Sequence, residues 1–420
     1  MAGTLVSDTR SATPGKEISV TLCQAAASYQ ATLPAALHQA GMLRRVIRFA
    51  PGLQILENGH AGDLEVVKQF PFYNLFSRVV WAAWGLLGGQ ERPQLPILAT
   101  SWLAGRLASR WVPSQGIFHG LPGLVLPVLQ AREAMPTSLL ENATLHARCW
   151  QREVLFECGQ AGIKPGACPT ALPLPLSRRL EREYELCDAI LVPSTTARRS
   201  FAEFGLAQKT HVVWPGVDSD FFSPPPRLLP SPKFRACYVG RIGLAKGVTY
   251  LLQAWKTLAL PQAELVLVGP VQPDIRPILA QYVGSNIMVT GPLPPREVAD
   301  QYRSASVFIQ PSANEGLALV LLEAMACGLP VIATDRSGAE DCVTHGKDGF
   351  VIPARRVEEL AEMISWCFRH RTELPAMGAA ARHKIVQRFT RSHYEERQIA
   401  LYRSLAGSSQ ASAERAPSLP

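Results

Sequence analysis

The feature that most constrains the fold is an alternation, in the second half of the chain, between short apolar segments and longer amphipathic ones. The apolar segments have the length of buried strands: 234–240, 264–269, 286–291, 307–311, 330–334 and 349–352. The amphipathic segments have helical spacing: 248–257, 274–283, 296–304, 319–326 and 357–368. Continuously apolar strands separated by helices are typical of a parallel sheet that helices cover on both faces. Because such crossovers are right-handed, the pattern predicts a doubly wound, Rossmann-like α/β domain.

The first half is less regular, but it predicts a second domain of the same kind. A length of 420 residues exceeds what one hydrophobic core normally holds, so we expect two domains. Segments 17–23, 114–118 and 189–193 are predicted strands, 33–40 is a predicted helix, and the proline cluster at 223–232 is a predicted linker. The expected parts are a domain over 1–213, a domain over 214–388, a helix over 389–406 that crosses back, and a disordered tail over 407–420.

Charge and cysteine content limit the possible partners. The net charge is +8, from 42 Lys and Arg against 34 Asp and Glu, and the excess is spread over both halves. This gives little support to a nucleic-acid partner and suits a nucleotide diphosphate or an acidic membrane surface. The nine cysteines contain no C-x-x-C pair, so we expect no disulfide framework, no zinc site and a cytoplasmic location. An apolar-rich helix at 74–87 favours core burial over membrane insertion, since its apolar run 79–87 is too short to span a bilayer.

The sharpest local feature is a run from Asn314 to Pro330 in which Glu315 and Glu323 are eight residues apart. At about 100° per residue, eight helical residues bring the two carboxylates to about 80° from each other, so both can face one cleft. Free N–H groups at the start of a helix favour phosphate oxygens, and a carboxylate one or two turns later can accept hydrogen bonds from ribose hydroxyls. Alternatively Glu323 is an ordinary surface residue, which fits poorly with a helix that is apolar nearly all round.

A second feature is the loop after the first predicted strand of this half. It contains Gly240, Arg241 and Lys246, and the two cations are five residues apart on a glycine-bearing turn that leads into a helix. Cations so placed can hold a diphosphate and neutralise charge that develops on it. Taken alone, such a loop is more often only solvated, and its spacing is not that of a Walker loop. Phosphate binding is therefore a hypothesis at this stage.

Five phrases together carry a resemblance to a known family. They are Leu191-Val192-Pro193-Ser194, Pro215-Gly216-Val217-Asp218, the 240–247 loop, Leu265-Val266-Leu267-Val268-Gly269 and the 315–328 run. In these phrases the chain resembles the retaining GT-B glycosyltransferases of the large family 4 type, the group 1 glycosyl transferases. The resemblance implies two Rossmann-like domains facing a cleft, with 1–213 on the acceptor side and 214–388 binding the donor. It also implies transfer, with retention, from a UDP- or GDP-sugar to an unidentified hydroxyl acceptor, without a metal or cofactor.

The resemblance also implies roles for individual residues. Arg241 and Lys246 would bind the donor diphosphate, while Glu323 would bind the ribose. Glu315 would lie beside the donor sugar, and His119, which follows an apolar strand, would lie near the reacting centre. Backbone groups of further residues would line the phosphate, sugar and base: Gly240, Gly316, Leu317, Ala318, Leu319 and Gly291 of the 289–292 turn. Relatives often have an aromatic residue or serine and then a glycine where Leu317 and Ala318 stand, so the sugar pocket departs from the family pattern.

Several alternatives stay open at the level of sequence. His119 could instead be a core or turn residue, and His146 could be structural or lie on the acceptor side. Asp218 and Asp220 match the D-x-D that binds a metal–diphosphate in a different glycosyltransferase fold, but they precede the first strand of the second domain, which disfavours a metal site. The rival functions are an epimerase or phosphorylase on the same fold and a catalytically silent binding protein.

Overall fold

The computed structural model of the chain describes residues 18–24, 32–48, 67–69, 79, 94–131, 136–225, 233–284 and 286–414. The predicted helix at 74–87, apart from residue 79, lies outside the described residues, as do 226–232 of the expected linker and 415–420. Among the helices that are described, none is both long enough and apolar enough to cross a membrane.

The first half forms a parallel sheet. Its strands are β1 (Val20–Gln24), β2 (Leu43–Arg48), β3 (Val67–Gln69), β4 (Ile117–Gly120), β5 (Thr137–Glu141), β6 (Ala189–Val192) and β7 (Thr210–Val212). In the described part of the chain their order is β3-β2-β1-β4-β5-β6-β7. The helices are α1 (Leu33–Gln39), α2 (Gln94–Ser109), α3 (Leu126–Gln130), α4 (Ala147–Gln160), α5 (Leu174–Leu186) and α6 (Thr195–Ala202). Strand β4 begins later than the predicted 114–118 because Gly116, with φ of +92°, turns the chain just before it.

The second half forms another parallel sheet. Its strands are β8 (Phe234–Val239), β9 (Ala263–Val268), β10 (Ile287–Gly291), β11 (Val307–Gln310), β12 (Val331–Thr334) and β13 (Gly349–Ile352), in the order β10-β9-β8-β11-β12-β13. The helices are α7 (Val248–Leu258), α8 (Arg276–Leu279), α9 (Pro295–Ser304), α10 (Leu319–Ala326), α11 (Val357–Arg369) and α12 (Leu374–Arg388). The predicted α/β fold, with two doubly wound parallel sheets, is confirmed.

One helix of the second half is much shorter than its pattern predicted. The segment 274–283 forms only the single turn of α8, from Arg276 to Leu279. Asp274 lies before the helix, where its buried carboxylate accepts a hydrogen bond of 3.3 Å from the Cys168 thiol of the first half. After α8 the chain continues in tighter turns, in which the amides of Gln281 and Tyr282 bond to carbonyls three residues back. The amphipathic pattern therefore marked a segment of successive turns rather than one helix.

The last helix, α13 (Arg391–Glu414), returns to the first sheet. Its Tyr394, Leu401 and Tyr402 are buried in the same core cluster as Val20 of β1 and Val46 of β2. The C-terminal end of the chain therefore contributes to the core of the N-terminal half.

Helix α13 is longer than the sequence pattern predicted. The prediction ended this helix at residue 406 and expected a disordered tail from 407, whereas the helix continues to Glu414. An existing helix extends at low cost through residues that permit it, and the first proline beyond it is Pro417. The low apolar content of this segment was therefore a poor guide to its conformation.

Candidate active site

A cavity of about 290 Å³ opens between the two halves, at the carboxyl ends of β8 and β11. The strand order of the second sheet reverses between these two strands, and open α/β sheets bind ligands at such a point. The cavity brings together seven of the residues predicted for the site: Gly240, Arg241, Lys246, Glu315, Leu317, Ala318 and Leu319. The first half contributes Ala143 and Pro193 to the lining, and Pro215, which follows β7, lies beside them. Four predicted site residues lie outside the lining: His119, Gly291, Gly316 and Glu323.

The loop after β8 is held in place at both of its ends. The Tyr238 hydroxyl donates a hydrogen bond of 2.8 Å to the carbonyl of Arg241, and burial raises the pKa of Tyr238, so the donor keeps its proton. At the other end Gly247 has φ of +66°, and a Cβ there would lie 1.9 Å from the Pro311 carbonyl oxygen. Since only glycine fits so close to a backbone, the turn that carries Lys246 lies directly against the end of β11.

Asp274 supports the same loop and was not singled out from the sequence. Its carboxylate lies beside Gly243 and Leu244 of the loop and accepts a hydrogen bond of 3.3 Å from the Cys168 thiol. Burial raises the pKa of this carboxyl group. Because Cys168 belongs to the first half, this contact joins the two halves next to the loop.

Lys246 and Glu315 form an ion pair in the cavity wall. Lys246 is only 7% exposed, and its Nζ lies 5.8 Å from the centre of the Trp150 ring of α4. Arg241, by contrast, is exposed. A diphosphate in the cavity could replace Glu315 as the ion-pair partner of Lys246, and the exposed Arg241 could contact it from the solvent side. The Glu315 carboxylate would then be free to accept hydrogen bonds from hydroxyl groups.

Helix α10 begins at the cavity wall, where Leu319 is part of the lining. The N–H groups at the start of a helix and its positive dipole end favour phosphate oxygens. Gly316 precedes it at the contact between the halves: its carbonyl accepts a hydrogen bond of 2.5 Å from Ser194 Oγ, and a Cβ would lie 2.3 Å from the Ala143 carbonyl oxygen. Any larger residue at this position would push the two halves apart.

Glu323 lies on the second turn of α10, outside the cavity lining. Its Oε2 accepts a hydrogen bond of 3.0 Å from the Tyr302 hydroxyl of α9. Burial raises the pKa of the Glu323 carboxyl group, and the hydrogen bond from Tyr302 opposes this shift. Gly291 ends β10 with φ of +76° and is likewise outside the lining. The ribose and base contacts of these two residues stay predictions.

His119 lies in β4 and is 4% exposed. Its Nε2 is 2.9 Å from Glu141 Oε2, and its Nδ1 is 2.6 Å from the Tyr402 hydroxyl of α13. Burial raises the pKa of Tyr402 well above its usual value, so that hydroxyl is neutral. Both ring nitrogens contact protein groups away from the cavity. These contacts favour the structural alternative for His119, a core residue, rather than a role at the reacting centre.

His146 is buried and caps α4, where its Nδ1 accepts a hydrogen bond from the Arg148 amide. Its ring stacks on Phe204, with 4.1 Å between the ring centres, and touches Tyr184 and Phe201 edge-on or tilted. Burial lowers the pKa of His146 to about 4. These contacts favour the structural alternative for His146 over an acceptor-side one.

The Asp218-Ser219-Asp220 triplet has a structural use in the described fold. Asp218 accepts hydrogen bonds from the amides of Asp220 and Phe221, and its second oxygen pairs with Arg391 over 2.8 Å. The carboxylate thus shapes a turn and ties it to the start of α13.

Sequence comparison identifies the second half of the chain. Residues 221–384 match the family described as glycosyl transferases group 1, and the match contains the Arg241–Lys246 loop and both glutamates. The match places residues 221–384 among the group 1 glycosyl transferases. The predicted family is therefore confirmed, and with it the general class of glycosyltransferase.

Curated relatives support the same family. D-inositol 3-phosphate glycosyltransferase 1 of Catenulispora acidiphila is 28% identical over 73% of this chain and 71% of its own length. The GDP-mannose-dependent alpha-(1-6)-phosphatidylinositol monomannoside mannosyltransferase of Mycobacterium tuberculosis is 31% identical over 50% of this chain and 60% of its own. Sulfoquinovosyl transferase of Arabidopsis thaliana is 30% identical over 48% of this chain and 42% of its own. The chain thus spans less than two thirds of the latter two relatives.

Solved structures extend the likeness to nearly the whole chain. Sucrose-phosphate synthase from Thermosynechococcus elongatus has a TM-score of 0.64 at 20% identity and covers 93% of this chain and 100% of its own. Anabaena Alr3699/HepE, solved in complex with UDP-glucose, has a TM-score of 0.63 at 17% identity and covers 94% of this chain and 100% of its own. At these identities the likeness shows the GT-B fold, which confirms the predicted fold class.

Proposed function

We propose that the chain is a retaining, metal-independent glycosyltransferase that moves a sugar from a nucleoside-diphosphate sugar to a hydroxyl acceptor. The observation that carries the proposal is the cavity at the switch point between β8 and β11. Lys246, Arg241, Glu315 and the start of α10 meet there, as a diphosphate with an attached sugar requires. We assign residues 1–213 to the acceptor side and 214–388 to the donor side.

In this proposal the cationic side chains stabilise the leaving group. Arg241 and Lys246 bind the diphosphate, and their charge counters the negative charge that grows on it as the glycosidic bond breaks. The first amides of α10 add positive potential at the same place. Glu315 binds hydroxyls of the donor sugar once the diphosphate has taken over Lys246, and Glu323 accepts hydrogen bonds from the ribose.

The transfer step then needs no nucleophile from the protein. The bond between the anomeric carbon and the diphosphate oxygen breaks, and the acceptor oxygen bonds to the same face of that carbon, which gives retention. The proton of the acceptor hydroxyl passes to the departing phosphate oxygen. The contribution of the protein is positioning and electrostatic stabilisation.

The relatives and the cysteines guide the choice of acceptor and compartment. The names of two relatives refer to inositol 3-phosphate and a phosphatidylinositol mannoside, so inositol phosphates and phosphoinositides are the first acceptors to test. All nine cysteines are free and buried, which supports a reducing cytoplasm, with peripheral contact to a membrane surface when the acceptor is a lipid.

The test is transfer with a panel of donors and acceptors in the presence of excess chelator. UDP-glucose, UDP-N-acetylglucosamine and GDP-mannose are incubated with inositol 3-phosphate or with phosphatidylinositol vesicles, and release of the nucleoside diphosphate is followed. Proton NMR of the product should show the anomeric configuration of the donor. Inversion would refute the retaining mechanism, and activity that returns only with magnesium or manganese would refute metal independence and return attention to Asp218 and Asp220.

A further inference from the structure

Helix α4 of the first half carries two buried carboxylates that face the second half. Glu153 and Glu157 are 6% and 4% exposed and are one helical turn apart. The guanidinium of Arg355, which follows β13, contacts both: its Nε lies 2.6 Å from Glu157 Oε1 and its Nη2 lies 2.7 Å from Glu153 Oε2. Like charges at this spacing destabilise a helix, and buried ones need a partner. Arg355 provides that partner from the other half of the chain.

Arg355 occupies a backbone conformation that suits glycine better. Its φ is +69°, which is uncommon for a residue with a Cβ. Its side chain lies over the ring of Phe156, 4.3 Å from the ring centre, and so covers α4 as well as pairing with it. We therefore attribute the contact of Arg355 with α4 to its side chain, and not to the turn that its backbone forms.

The same helix contacts both charged segments of the cavity wall. The Trp150 ring lies 5.8 Å from Lys246 Nζ, and the Trp150 carbonyl accepts a hydrogen bond of 3.1 Å from Asn314, the neighbour of Glu315. Trp150 also shares a buried cluster with Ala245 of the cation-bearing turn. A displacement of α4 would therefore move the surroundings of Lys246 and Glu315 together.

We propose that Arg355 is a positioning residue for donor binding: by pairing with Glu153 and Glu157 it holds α4 against the Lys246 turn and the Glu315 loop. This inference rests on the proposed function of the cavity. Arg355 itself lies outside the cavity lining, so it acts through α4 and not by touching the donor.

Other groups face the two carboxylates, but none replaces Arg355. Arg336 Nη1 lies 3.6 Å from Glu153, farther than Arg355 does. Arg152 Nε lies 3.4 Å from Glu153, and the Arg152 side chain is 55% exposed to solvent. The Tyr250 hydroxyl of α7 donates a hydrogen bond of 2.9 Å to Glu157. Burial raises the pKa of the Cys149 and Cys158 thiols of α4, and the nearby charges of Glu153 and Glu157 add to this rise. Among the described residues Arg355 forms the only ion pair of Glu157, so its removal leaves that buried carboxylate without a cation.

The experiment compares Arg355→Met with Arg356→Met. Arg356 is the adjacent arginine, but its side chain is 62% exposed and pairs with Glu359 on the surface. Calorimetry with UDP-glucose and GDP-mannose should show Arg355→Met binding the donor about tenfold more weakly near neutral pH, with Arg356→Met unchanged. In steady-state assays the donor KM should rise while kcat stays close to that of the wild type, because the groups at the reacting centre are intact.

A further variant separates positioning from a general loss of structure, because it removes the uncompensated charges together with Arg355. The triple variant Glu153→Gln/Glu157→Gln/Arg355→Met should return to within about threefold of wild-type affinity, and it decides the question if Arg355→Met fails to fold. Normal affinity in Arg355→Met, or a triple variant that folds but still binds weakly, would overturn the inference. A wild type that binds no nucleotide sugar would instead refute the proposed function.

Discussion

Replacing Lys246 by methionine should separate the structural and functional roles of the ion pair in the cavity wall. Lys246 is 7% exposed and the side chain of its partner Glu315 is 18% exposed. Removing one partner of a fully buried pair costs about 3–5 kcal/mol of unfolding free energy. Water still reaches Glu315, so we expect a smaller cost than for a fully buried pair, about 2–3 kcal/mol. Loss of the cation that faces the diphosphate should lower kcat by about 100- to 1,000-fold.

A second substitution distinguishes the two effects. In Lys246→Met/Glu315→Gln an uncharged amide replaces the carboxylate, so no unpaired charge is left in the cavity wall. The unfolding free energy should therefore return to within about 1 kcal/mol of the wild type. Turnover should stay low, because the positive charge at the diphosphate is still missing. Urea unfolding and nucleotide-sugar turnover are measured on both variants and on Lys256→Met, an exposed lysine of α7, as the control. Wild-type donor affinity and turnover in Lys246→Met would refute the assignment of Lys246 to the diphosphate.

Three further predictions concern groups outside the cavity lining. Glu323→Gln should keep the fold and weaken donor binding by about 1–3 kcal/mol through loss of a charge-assisted hydrogen bond, and unchanged nucleoside-diphosphate affinity in calorimetry would remove Glu323 from the site. His119→Ala should lower the unfolding free energy by about 3 kcal/mol, because the buried Glu141 carboxylate loses the imidazole as a partner, and donor affinity should be unchanged. A strong loss of turnover at normal stability would instead restore a role for His119 at the reacting centre. His146, with its pKa lowered to about 4, binds a proton more readily when unfolded, so its contribution is complete above about pH 6.5 and is lost as the pH falls towards 4. Urea unfolding of His146→Asn, which can still cap α4, should therefore show a smaller loss of stability over that range than the wild type, and an equal loss would refute the role of the imidazole.

The parallel sheets could be predicted because their signals are local. Each strand of the second sheet is a mostly apolar run that ends within a residue or two of its predicted bounds, and most of the helices between them show the 3.6-residue period. The predictions that differed from the structure involve side-chain bonds and chain propagation. The Asp274 carboxylate bonds to Cys168 of the first half and lies outside the short helix α8, and α13 continues to Glu414 because no proline interrupts it.

The cavity could be predicted only on its donor side. Arg241, Lys246 and Glu315 lie in two loops whose sequence pattern indicates their positions, and both loops follow strands that are neighbours in the sheet. The opposite wall depends on contacts between residues far apart in sequence, such as the Trp150 carbonyl with Asn314. Pro193 and Pro215 lay within phrases of the family resemblance, but nothing in the residues themselves indicated that they face the donor loop.

The contribution of Arg241 to diphosphate binding tests the central claim most directly. Calorimetry on the wild type should detect binding of UDP-glucose or GDP-mannose and much weaker binding of uridine or guanosine, which lack the diphosphate. Arg241→Ala should reduce the preference for the nucleotide sugar by about tenfold or more, and Arg241→Lys should restore only part of it, since a point charge does not replace a planar fork of donors. Equal affinity for nucleoside and nucleotide sugar, or an Arg241→Ala variant that binds as the wild type does, would contradict the account.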